Sequence, residues 1–170
     1  MKKYNEMVRD FADQKSEDLI PNSGLEHAEV LVKNIFSHAS NEVRIFTGRL
    51  NPSVYGTPEV IKSITGFLHD GTDRKIKILL QDIDPNKLGD FKKNHLYKLC
   101  KEWPDSCEIK TTDSELQSHF VVMDDNGYRI EPDKSEPVGI GCFNDKDLSE
   151  RLVTLFDGLF TTGTVLNHQA

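Results

Sequence analysis

The sequence lacks the features that mark exported, membrane-spanning and disulfide-stabilised proteins. Only three of its 170 residues are cysteines, Cys100, Cys107 and Cys142. An odd number of cysteines in a chain that opens without an apolar leader argues against a disulfide framework. No apolar run approaches the roughly 20 residues that cross a bilayer. We therefore expect a reduced, cytoplasmic protein that does not enter the membrane.

The chain also has no excess of positive charge. Its 28 acidic residues outnumber 21 basic residues and give a formal net charge of -7. A nucleic-acid partner would have to be met by a local basic patch that works against the field of the remaining charges, so charge does not favour such a partner. Internal repeats and low-complexity tracts are absent, and the hydrophobic fraction of 36% suffices for one core. These numbers predict one globular domain.

We predict three parts of unequal size: an N-terminal helix and linker over 1–20, a domain over 21–162, and a frayed tail over 163–170. The first helix carries apolar residues at the spacing of one helix face, namely Tyr4, Met7, Val8 and Phe11. Such a face can pack on the domain or bind a partner protein.

Helix and strand patterns alternate through the first two thirds of the domain. Ser23 and Glu26 have the spacing of a capping box, which predicts a helix that ends near Ser40. Strands are predicted over 42–50 and 75–81, and the helix between them starts at Thr57-Pro58. A helix from residue 85 to Trp103 and a strand over 107–112 follow. This order predicts parallel neighbours.

The last third has a different pattern. Phe120 to Met123 runs into Asn126-Gly127, a strong hairpin signal, and Tyr128 to Glu131 returns as the partner strand. A strand over 138–144 and a helix over 145–160 complete the chain. The expected fold class is therefore α/β, with a mixed, largely parallel central sheet and helices on both faces.

Several of these segments, including Ser118–Asp125, Gly141–Asn144 and Phe156–Phe160, resemble one half of a phospholipase D-like protein. The resemblance covers roughly 24–161. The signature of that superfamily is His-x-Lys, four residues, Asp, and later Gly-Ser-x-Asn, and two such halves meet to make one site. It implies that one histidine attacks phosphorus and the other protonates the leaving oxygen, while lysine and asparagine bind phosphoryl oxygens. The resemblance implies no cofactor and no metal.

Three residues match the signature, and three others depart from it. The matches are His119, Gly141 and Asn144, and the departures are Val121 for the lysine, Asn126 for the aspartate and Cys142 for the serine. Losing one preorganised contact to a developing charge typically costs about 3–4 kcal/mol, so efficient catalysis is not expected. Losing the carboxylate that orients the histidine adds to the deficit. Arg129, Lys134 or Arg49 could supply the missing cation.

Our first hypothesis is a catalytically degenerate phospholipase D-like module, a homodimer that binds a partner protein or a phosphate-bearing ligand. The ligand-binding residues would be His119, Arg129, Gly141, Asn144 and Arg49. By analogy with modules whose motifs are eroded, it could serve a bacterial multi-protein system of the anti-phage type. The alternative is a metal-independent dimeric nuclease or phosphodiesterase, in which His119 and Asn144 are catalytic and an arginine replaces the lysine.

Plainer interpretations stay open for several of these residues. His119 could be a polar residue at a strand start, and Arg129 a charge that faces water from a hairpin strand. Asp124 and Asp125, ahead of Asn-Gly, are typical turn formers rather than metal ligands. Cys142 is expected to be a small buried residue.

Overall fold

The computed structural model describes residues 1–84, 88–89 and 91–166, and these residues form one eight-stranded sheet with helices on both faces. The helices are α1 Lys2–Asp13, α2 Leu25–His38, α3 Pro52–Tyr55, α4 Pro58–His69, α5 His95–Glu102 and α6 Lys146–Thr162. The strands are β1 Ile20–Asn22, β2 Glu42–Thr47, β3 Lys75–Leu80, β4 Cys107–Thr111, β5 His119–Met123, β6 Gly127–Glu131, β7 Gly139–Cys142 and β8 Thr164–Val165.

The strand order is β1-β7-β6-β5-β2-β3-β4-β8. Strand β2 pairs in parallel with β3, and β3 with β4, as expected for strands joined by helical crossovers. The other pairings are antiparallel. The predicted mixed α/β sheet is confirmed, but parallel pairing is confined to β2, β3 and β4. The sheet has fewer parallel pairings than expected, because β5, β6 and β7 each pair antiparallel with their neighbours.

Side-chain caps begin helices α4 and α6. The Thr57 hydroxyl caps α4 by accepting the Val60 N–H, and the Asp145 carboxylate caps α6. Helix α2 instead starts at Gly24 without a side-chain cap, so the capping box predicted there is wrong.

Helix α5 is shorter than the helix predicted from residue 85 to Trp103. Asn94 caps it by accepting the N–H groups of Leu96 and Tyr97, and a 3-10 turn at Phe91–Lys93 precedes it. Residues 85–87 and 90 of that prediction lie outside the described residues.

Alternate strand residues point to opposite faces of the sheet and build two cores. On one face Ile45 and Val121 pack with Leu31 and Ile35 of α2, and the other helices up to α5 belong to the same cluster. On the opposite face Phe46 and Phe120 pack against Phe156 of α6. Helices therefore cover both faces, as predicted. No helix in the described part of the chain has the length and apolar character needed to span a membrane.

Both ends of the described chain add a strand to the sheet. Ile20–Asn22, where no strand was predicted, pairs with β7 as an edge strand, while Val8 and Ala12 of α1 are buried in the core. At the other end Thr164–Val165 pairs with β4, and Leu166 is buried. The tail predicted to fray is therefore ordered up to Leu166, and 167–170 lie outside the described residues.

The β5–β6 hairpin is confirmed, but its turn is not the predicted Asn-Gly pair. Met123 pairs with Gly127, so Gly127 belongs to β6 and the loop consists of three residues that begin at Asp124. Asp124 takes the left-handed conformation, with φ of 51°. Its carboxylate accepts the backbone N–H groups of the 40–42 connection at 2.8–3.0 Å. It thereby acts as a structural residue.

Candidate functional site

His119 begins β5 at the edge of the sheet where β2 ends. The antiparallel pairing of Phe120 with Phe46 places the imidazole beside the backbone that follows Thr47. The Gly48 N–H donates to His119 Nε2 at 3.0 Å. Across the hairpin, His119 pairs with Glu131, and its Nδ1 lies 3.4 Å from the Glu131 carboxylate.

These contacts occupy both ring nitrogens of His119. A neutral imidazole has one N–H donor and one acceptor nitrogen. Since Nε2 accepts the Gly48 N–H, the ring proton sits on Nδ1, which faces Glu131. In this arrangement His119 has no uncommitted lone pair with which to attack phosphorus.

Arg129 lies in the same hairpin, two residue pairs further along from the His119–Glu131 pair. Arg129 pairs with Val121, so the two side chains lie on the same face of the sheet. Val121 is the residue that replaces the lysine of the phospholipase D-like signature. Arg129 is only 2% exposed. Its Nε donates to Asn22 Oδ1 at 2.7 Å, and its Nη2 donates to the Glu131 carboxylate. A buried charge is thus paired and hydrogen-bonded, as burial requires.

Glu131 is the centre of this cluster. Burial alone would raise the pKa of its carboxyl group, but the hydrogen bond from His119 and the charge and hydrogen bond of Arg129 together hold the pKa below its ordinary value. Nearby, burial raises the pKa of the Tyr55 hydroxyl, an effect that the charge of Arg129 opposes. The cluster therefore holds an ionised Glu131 beside a neutral phenol.

A cavity of about 480 Å³ opens above these residues, and we call it the His119 cavity. Its wall includes Thr47, Arg49, Tyr55, His119, Arg129 and Lys134. Arg49 is exposed at its rim, and the Lys134 ammonium lies 3.8 Å from the Asp82 carboxylate. The three cations that the sequence offered as replacements for the lysine therefore face one cavity.

The other two predicted site residues do not join His119. Gly141 is buried in β7 between β6 and β1, where an added Cβ would meet Leu31 of α2. Asn144 follows β7 beside the β5–β6 turn, since Asp145 N–H donates to Asn126 O at 2.8 Å. That turn is at the far end of β5, roughly 14 Å from His119 at the usual rise per strand residue. The expectation that Gly141 and Asn144 line a pocket with His119 is wrong.

Three residues of the site were not identified from the sequence: Asn22, Gly48 and Glu131. Glu131 could have been found from the hairpin, because a three-residue loop places it opposite His119. The Asn126-Gly127 signal suggested a two-residue loop and a different register. Asn22 and Gly48 carry no comparable signal, since their contacts depend on how distant segments pack.

Solved structures with the same fold come from the phospholipase D family. Nuc from Salmonella typhimurium, a phospholipase D family member, matches 87% of this chain and 97% of its own at 13% identity and a TM-score of 0.61. NucT from Helicobacter pylori matches 87% of this chain and 99% of its own at 10% identity and a TM-score of 0.56. The fold is therefore phospholipase D-like.

A third structure of this fold is TrmBL2, an archaeal chromatin protein described as showing a novel mode of DNA binding. It matches 96% of this chain at 17% identity and a TM-score of 0.61, and the chain spans 61% of its length. No curated protein sequence matches the chain. Residues 24–165 match the family model described as Domain of unknown function (DUF7931), and the chain belongs to that family.

Proposed function

We propose that the protein is a catalytically silent phospholipase D-like module that binds a phosphate-bearing ligand in the His119 cavity and pairs with a second copy of itself. The observation that carries the proposal is the engagement of His119 at both nitrogens, by Gly48 N–H and by Glu131. A histidine held in this way lacks the free lone pair that nucleophilic attack needs.

The place of the missing lysine supports the same conclusion. Val121, which stands where the signature has lysine, is apolar and fully buried, so this position brings no charge into the cavity. Arg129 lies beside it, but Glu131 neutralises the guanidinium and Asn22 fixes it. A cation that is already paired stabilises a developing phosphoryl charge less than a free one.

Anion binding is supported by the basic residues of the cavity wall. Arg49 is exposed and Lys134 is loosely paired, so both can turn toward a ligand, while Arg129 offers a fixed guanidinium below them. Guanidinium groups bind phosphate oxygens through paired N–H donors, and an ammonium adds a point charge.

Hydrolysis assays test the silent active site. Wild type and His119→Ala are incubated in EDTA with bis-p-nitrophenyl phosphate, with single- and double-stranded DNA, and with RNA. We expect the same background rate for both proteins. Hydrolysis by wild type that disappears in His119→Ala would overturn the proposal.

Calorimetry with inorganic phosphate and with a dialkyl phosphate tests binding. Arg49→Ala and Lys134→Ala should each weaken binding about tenfold, as expected when one charge-assisted contact is removed. Lys62, exposed on α4, supplies the control, and Lys62→Ala should bind like wild type. Equal affinities in all four proteins would place the ligand elsewhere.

A working dimeric nuclease or phosphodiesterase is the second candidate, and one observation favours it. The carboxylate that the sequence seemed to lack is present, because Glu131 faces His119 Nδ1, and Arg129 sits beside the lysine's place. Catalysis would require the Gly48 N–H to leave Nε2. In the assays above this candidate predicts activity that is lost in His119→Ala and reduced in Arg129→Lys.

A further inference from the structure

The wall of the His119 cavity depends on a residue that precedes the family match. The match begins at residue 24, and Asn22 lies just before it in β1. Asn22 is 1% exposed, and both its side-chain amide nitrogen and its side-chain oxygen have hydrogen-bond partners. Its Nδ2 donates to Gly24 O at 3.2 Å and to Pro137 O at 2.7 Å, and its Oδ1 accepts the Arg129 Nε–H at 2.7 Å.

These bonds fix the direction of the Arg129 guanidinium. The group is planar, so an acceptor at Nε and a second acceptor at Nη2 define its plane and its rotation. Asn22 supplies the first acceptor and Glu131 the second. Without Asn22 the Nε–H would be buried and unpaired, and the guanidinium would have to turn to find another partner.

Strand β1 is itself held by the first helix. The Tyr4 hydroxyl donates to Pro21 O at 2.9 Å, and the Tyr4 ring stacks on His27 with centroids 3.7 Å apart. Ile20 is fully buried, and β1 pairs with β7 from Ile20 to Asn22. The amide of Asn22 therefore has a fixed position relative to β6.

We infer that Asn22 is a positioning residue of the His119 cavity, because strand β1 holds its amide where it sets the direction of Arg129. This inference deepens the proposed function and rests on it for the identity of the ligand. The positioning itself can be measured without any ligand.

Nitrogen-15 NMR of arginine side chains in the full chain is the first measurement. A buried, hydrogen-bonded Nε–H exchanges slowly with water, and the signal of Arg129 is assigned by its loss in Arg129→Lys. We expect Asn22→Ala to lose this signal, and Asn22→Ser, whose hydroxyl is too short to reach the Arg129 Nε–H, to lose it as well. Asn5 lies in the same N-terminal segment and binds Lys33 instead, so Asn5→Ala should leave the signal unchanged.

Titration with inorganic phosphate is the second measurement, made on the same variants after circular dichroism has shown them folded. Asn22→Ala should bind about tenfold more weakly than wild type, and Asn5→Ala should bind as tightly as wild type.

An unchanged Arg129 signal in Asn22→Ala, or an unchanged affinity, overturns the inference. Should Asn22→Ala not fold, persistence of the signal in Asn22→Ser overturns it. Absence of phosphate binding by wild type counts against the proposed function, while the NMR signal still decides the role of Asn22.

Discussion

His119, Glu131 and Arg129 form a chain of contacts in which each polar group satisfies the next. Glu131 accepts from both the imidazole and the guanidinium, and this double role keeps its carboxyl ionised although it is largely buried. The same role leaves neither basic group free. This mutual pairing is the observation on which the proposed loss of catalysis rests.

The lowered pKa of Glu131 predicts a pH-dependent stability. A pKa that is lowered in the folded state contributes stability that is present above the ordinary glutamate pKa of 4.5 and is lost as the pH falls through the folded-state pKa. Glu131→Gln should cost about 2–4 kcal/mol at about pH 7, because Arg129 loses its counter-charge.

The difference between wild type and Glu131→Gln should shrink as the pH falls below 4.5 and through the lowered pKa of Glu131, because the protonated acid resembles the amide. Urea unfolding across this range measures it. Glu136 is exposed in the same cavity wall, and Glu136→Gln should follow wild type at every pH. A constant difference between wild type and Glu131→Gln would contradict the prediction.

Placing the lysine of the phospholipase D-like signature at position 121 should not produce hydrolytic activity. Val121 is fully buried beside Arg129, and a second cation there lacks a partner of its own. Val121→Lys should be at least about 3 kcal/mol less stable than Val121→Met, which has a similar length without charge. Unfolding curves and the phosphodiester assay decide both points, and hydrolysis by Val121→Lys would refute the argument.

Secondary structure elements were predicted well where the apolar residues recur with the period of a helix or of a strand. The strands β2 to β6 and the helices α2, α4 and α6 follow the apolar spacing of the sequence. Strand β1 was missed because three residues with Pro21 at the centre show no alternation, and α3 because four residues are too short for a helical period. The three-residue loop was missed since Asp124, not Gly127, takes the left-handed conformation.

The β5–β6 loop also binds the connection between α2 and β2, which is distant from it in sequence. The Asp124 carboxylate accepts three backbone N–H groups between α2 and β2. Asp124→Ala should therefore reduce the free energy of unfolding by about 2–4 kcal/mol, through lost hydrogen bonds and an unfavourable φ. Asp125 is exposed next to it, and Asp125→Ala should stay within about 0.5 kcal/mol of wild type. Similar values for both variants in chemical denaturation would contradict this role.

Across the molecule, the sequence predicted the fold better than the site. The phospholipase D-like signature predicted that Gly141 and Asn144 lie with His119 because the three residues occur in the signature's order along the chain. The sheet separates them, since β7 pairs with β6 in a register that carries Asn144 to the opposite end. Residues that do meet, such as Asn22 and Arg129, are 107 positions apart. Only tertiary packing brings them together.

Pairing of two whole molecules remains a prediction from the resemblance. Size-exclusion chromatography with light scattering should give twice the mass of one chain at micromolar concentration. The mass of a single chain at every concentration tested would contradict it. The predicted place in a bacterial anti-phage system is a separate hypothesis that this measurement does not address.

The two outermost strands limit how molecules of this protein can associate. Strand β1 has three residues with a proline in the middle, and β8 has two residues. Short edges and prolines offer few free backbone groups to an incoming strand. Growth of the sheet from one molecule into the next is therefore disfavoured, and concentrated solutions should resist conversion into amyloid-like fibres.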